Sequence, residues 1–66
     1  MEKFQKAIED YTKAIQLKPK DNDAYYNRGV AKMMMGDRKG AYADWASAAE
    51  LGHPKAKELI ESQTRK

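Results

Sequence analysis

Sixty-six residues allow one small domain, and below roughly 70–80 residues a single core seldom supplies more than about 3–5 kcal/mol. There is no cysteine, which excludes disulfide staples and thiolate metal sites, and no run of about 18 apolar residues, which excludes a membrane-spanning helix. The 13 basic and 10 acidic residues are interspersed; their net charge of +3 favours solubility and identifies no nucleic-acid partner.

The first predicted helix spans about Glu2 to Leu17, because Phe4, Ala7, Ile8, Tyr11, Ala14 and Ile15 recur at the spacing of one helical face. Glu9 and Lys13 form a favourable i,i+4 pair on its surface. Pro19 ends it by pushing Lys18 out of the helical region. Asp21 or Asn22 is the expected N-cap of the second helix, about Asp23 to Met35. Gly29 lies inside that helix, where glycine costs about 1 kcal/mol against alanine; close approach of a neighbouring helix explains it. Gly36 then supplies a left-handed cap and Asp37 the next N-cap.

The third helix spans about Arg38 to Glu50, with Ala41, Tyr42, Trp45, Ala48 and Ala49 as its buried stripe and Gly40 as a place for a tight crossing. Gly52 closes it, and Pro54 opens a fourth helix reaching about Ser62, with Ala56, Leu59 and Ile60 inward. Gln63 to Lys66 are expected to fray. The fold class is therefore all-α. The short Met-Gly-Asp-Arg turn makes the second and third helices antiparallel.

Part of the chain occurs twice. Ala7, Tyr11 and Ala14 recur as Ala41, Trp45 and Ala48, each pair 34 residues apart, and that period marks stacked helical hairpins. These residues, with Tyr25, Gly29 and Pro19, resemble the tetratricopeptide repeat over nearly the whole chain. The resemblance implies antiparallel hairpins of the tetratricopeptide-repeat superhelix. Residues 1–20 form a half repeat (its helix B), 21–53 a full repeat with helices A and B, and 54–66 a capping helix. On that reading the chain is the C-terminal end of a longer array. Arg28 and Lys32 depart from the pattern by standing where the family places large apolar residues; their stems are expected to pack while the charges snorkel outward. His53 occupies the place of the inter-repeat proline, and the segment around it also resembles Sel-like repeats.

The resemblance further implies a concave groove lined by helix-A residues. Its partner-binding candidates are Asp23, Tyr26, Asn27, Val30, Met33, Met34 and Lys57, with Ile60 and Glu61 beside them. Asn27 matches an asparagine that chaperone-binding members use on a C-terminal carboxylate, but Glu61 stands where that clamp needs a basic residue. Of Met33, Met34 and Met35, one or two are expected to plug the core and the remainder to face solvent. Tyr25, Tyr42 and Trp45 read as core, and Tyr26 as facing the other way. Phe4, Ile8 and Tyr11 are the self-association candidates, because one and a half units fall short of the roughly three that a solenoid needs.

No catalytic constellation, metal site or cofactor is expected. His53 is the sole histidine and lacks partners at ligand spacing, and Glu9, Asp10 and Asp44 read as solvated helix surface. Lys3, Lys6, Lys13, Lys18 and Lys20 are scattered without interleaved exposed aromatics, which argues against nucleic acid. The expected function is a non-enzymatic protein–protein interaction module that binds a peptide or partner protein in its groove. The alternative is a structural capping unit that self-associates into a homo-oligomer, with helix exchange as one route. The chain reads as soluble and outside any membrane, with the cytoplasm favoured.

Overall fold

Pro19 and two glycines punctuate the chain into α1 (Glu2–Leu17), α2 (Asn22–Met34), α3 (Arg38–Glu50) and α4 (Pro54–Thr64). The structure is a computed structural model that describes residues 2–64, and within them every regular element is a helix. Asp21 is the N-cap of α2, its Oδ1 accepting from the Ala24 amide at 3.2 Å.

The next two turns repeat one device. At Gly36 (φ 88°) the chain turns left-handed; the Gly36 amide donates to the Met33 carbonyl and the Asp37 amide to the Lys32 carbonyl. At Gly52 (φ 97°) the same pair of bonds runs from Gly52 to Ala49 and from His53 to Ala48. The residue after each glycine then caps the following helix. Asp37 Oδ1 accepts from the Gly40 amide at 2.9 Å, and His53 Nδ1 accepts from the Ala56 amide at 3.2 Å.

α1 packs on α2, α2 on α3, and α3 on α4, each reversing direction at its short turn. The buried apolar residues are Ala24, Ala31, Ala41, Trp45, Ala48 and Ala56. Alanines at the contacts let the helix backbones approach, and Trp45 is the one large side chain among them. Tyr25, Tyr26, Met33, Tyr42, Leu59 and Ile60 pack around this centre, with Tyr42 meeting Trp45 edge-on at 5.4 Å. The Cα atoms span 34 × 25 × 14 Å, so the molecule is a thin slab in which few large side chains are far from water.

Several expectations need correction. α2 begins at Asn22 and ends at Met34, and α4 continues through Gln63 to Thr64; residues 65 and 66 lie outside the described ones. The space beside Gly40 is taken by Asp37 and by Lys32 Cδ, so its bareness serves the cap rather than a helix crossing. The methionine run follows its expectation: Met33 packs against the core, while Met34 and Met35 are exposed. Asp44 is not solvated surface: it is 4 % exposed.

Candidate partner-binding face

The spacing of α2 separates two faces. Asp23, Asn27, Val30 and Met34 are exposed, and their steps of four, three and four residues place them along one side of the helix. Ala24 and Ala31 are buried on other sides. Met34 is 58 % exposed, so this stripe offers apolar surface next to a carboxylate and an amide. Met33 and Tyr26 were expected in the same set, but both are half-buried and packed against the core.

Tyr26 makes two contacts, one through its ring and one through its backbone. Its ring stacks on His53 with centroids 4.5 Å apart and planes 14° from parallel, and its carbonyl accepts the indole N–H of Trp45 at 3.1 Å. His53 Nε2 lies 3.1 Å from Asp23 Oδ1. Since His53 Nδ1 accepts from Ala56, the neutral ring carries its proton on Nε2 and donates it to Asp23. Nearby, the Asn22 side-chain amide donates to the Leu51 carbonyl at 3.0 Å. The start of α2 is thus bound to the α3–α4 turn by Asn22, Asp23 and Tyr26.

The opposite side of α2 holds buried charge. Arg28 donates from Nε and Nη2 to the two oxygens of Asp44 at 2.8 and 2.7 Å. Lys32 Nζ lies 3.2 Å from Asp44 Oδ2. Arg28 Nη1 also donates to Thr12 Oγ1, whose hydroxyl donates to the Ile8 carbonyl, and the guanidinium lies 5.6 Å from the Tyr25 ring centre. The hydrogen bond to Asp44 pushes the Arg28 pKa further above its usual range, against the opposing effect of burial. The expected outward snorkelling does not occur; both cations turn in to one carboxylate and tie α1, α2 and α3 together. Periodicity contained the signal: Asp44 shares the inward stripe of Ala41, Trp45 and Ala48.

Lys57 is exposed and lines a shallow depression of about 350 Å³ with Ala49, Glu50, Ile60 and Glu61. That places it beside residues of α3 and α4. Phe4, Ile8 and Tyr11 are half-buried on α1. The repeat offers an internal comparison: Ala41, Trp45 and Ala48 are buried between α2 and α4, whereas their counterparts Ala7, Tyr11 and Ala14 are half-buried, with α1 packed chiefly on α2.

Among the described residues, no group of three or more His, Cys, Asp or Glu side chains is gathered to hold a metal ion. No helix there is long and apolar enough to cross a membrane. What the arrangement offers is surface on a braced scaffold. Comparison with protein-family models gives a match to the family described as TPR repeat over residues 1–36, which spans α1 and α2. Neither the curated proteins nor the solved structures give a match. The family match, the consecutive antiparallel helices and the 34-residue recurrence agree, and the chain belongs to the tetratricopeptide-repeat family.

Proposed function

We propose that this chain is a protein–protein interaction module whose partner lies along the outer side of α2, on Asp23, Asn27, Val30 and Met34. Tetratricopeptide repeats in general mediate such contacts. The observation that carries the finer reading is the exposure of Val30 and Met34 on a helix whose other sides are anchored by Asp44, Trp45 and His53. A rigid helix with an apolar strip bordered by Asp23 and Asn27 suits an amphipathic peptide. The test is a displayed library of amphipathic peptides selected on the protein and re-measured on Val30→Asp and Met34→Asp variants. Loss of binding in folded variants supports the assignment; selected peptides that bind both variants unchanged overturn it.

The second reading, self-association through Phe4, Ile8 and Tyr11, is supported at Tyr11 by the internal comparison between α1 and α3, and Phe4 and Ile8 lie beside it on the same helical face. The residues that α3 buries are the ones that α1 leaves half-covered, and a second copy would cover them. Sedimentation over a range of concentrations decides it. A concentration-dependent dimer abolished by Ile8→Glu supports self-association, and a monomer at high micromolar concentration rejects it.

A further inference from the structure

His53 performs three tasks with one ring. Nδ1 accepts the Ala56 amide and starts α4; Nε2–H reaches Asp23; and the face stacks on Tyr26. The side chain is 13 % exposed. Imidazole is the side chain whose charge changes between about pH 5 and 8, and only one of its two protonation states can cap a helix. A second proton must go to Nδ1, because Nε2 already holds one. Nδ1–H would then point at the Ala56 N–H, donor against donor.

We propose that His53 is a proton-operated cap: neutral, it holds the first turn of α4 in place; protonated, it releases it. Against the protonated, capped state stand the lost Ala56 bond, the positive end of the α4 dipole, and Lys55 and Lys57 in the same turn. Asp23 and the Tyr26 ring on α2 favour the cation, as does Glu50 at the end of α3. Asp23 is the strongest of these, but its side chain is 77 % exposed, so solvent screens its attraction. The Ala56 bond needs the free Nδ1 lone pair, so a ring protonated at Nδ1 cannot keep it.

The chain contains its own reference. Gly40 is the equivalent capped amide at the start of α3, held by the Asp37 carboxylate, and carboxylates titrate well below this window. Hydrogen exchange of both amides, corrected for intrinsic rates, is measured between about pH 8 and 5.5. Protection at Ala56 is expected to fall about fivefold relative to Gly40 on acidification, the worth of a typical N-cap. In His53→Asn, whose cap does not titrate, the ratio stays flat. A parallel response of Ala56 and Gly40 in the unmodified chain overturns the proposal, as does an equal fall in His53→Asn. Should His53→Asn unfold, the ratio in the unmodified chain alone decides.

Discussion

Gly29 lies directly under the edge of the Trp45 indole. A Cβ at Gly29 would stand 2.6 Å from Nε1 and 2.7 Å from Cδ1 of that ring, whose N–H is already committed to the Tyr26 carbonyl. The bare backbone at 29 and the large ring at 45 are two halves of one contact, and neither can change alone.

Gly29→Ala therefore departs from the usual helix rule. In an exposed helix the substitution stabilises by about 1 kcal/mol. Here the added methyl displaces Trp45 or separates α2 from α3, for a net loss of about 1–3 kcal/mol. Thermal denaturation followed by circular dichroism checks it, and a rise in Tm would refute the contact.

Gly52→Ala isolates the opposite effect. Nothing lies within 4 Å of a Cβ built there, but φ is 97°. The cost is conformational alone, about 1 kcal/mol. Urea unfolding should show a lower midpoint with an unchanged slope.

Asp44→Ala leaves Arg28 and Lys32 turned inward with no counter-charge. Asp44 is buried but both cations are half-buried, so the loss is expected to be about 1–3 kcal/mol, a large share of the stability of a domain this size, and a lower urea midpoint checks it. Replacing all three, as Arg28→Met, Lys32→Leu and Asp44→Leu, should restore the midpoint, since apolar replacement of a buried charge cluster is often neutral or stabilising. Failure of the triple variant to recover it would show that the polar network also specifies how α1, α2 and α3 pair.

Tyr26→Ala and Val30→Asp separate scaffold from surface. Tyr26 stacks on His53, and its truncation is expected to lower stability by about 1–3 kcal/mol. Val30→Asp should stay within about 0.5 kcal/mol of the parent while changing peptide binding. Comparable melting losses in both variants would remove Val30 from the partner face.

The helices, their glycine caps and the close approach of some neighbouring helix at Gly29 were legible because each rests on local chemistry or on a repeated spacing; that the neighbour is α3 came from the structure. Trp45 could be read as core from its register with Ala41 and Ala48. Asp44 was missed although it lies on the same stripe: as a lone residue type it looks solvated, and only the inward cations Arg28 and Lys32, brought from another helix, make its burial tolerable. The inward turn of Tyr26 was hidden for a similar reason. Its partner, His53, lies in a turn 27 residues away, and periodicity within α2 carries no information about it. Val30 and Met34 were legible as outward because their neighbours at helical spacing define the buried side.

Asp37 and His53 each finish one helix with a backbone amide and begin the next with a side chain. No residue is left over to act as a hinge, so the phase between neighbouring helices is written into the junction itself. Such joints tolerate exchange of surface residues but not a change in chain length. At Lys18–Asp21 the duties are divided: Lys18 closes α1 by donating to Ala14, and Asp21 opens α2. That junction is where an insertion could be absorbed without rewinding the rest of the array.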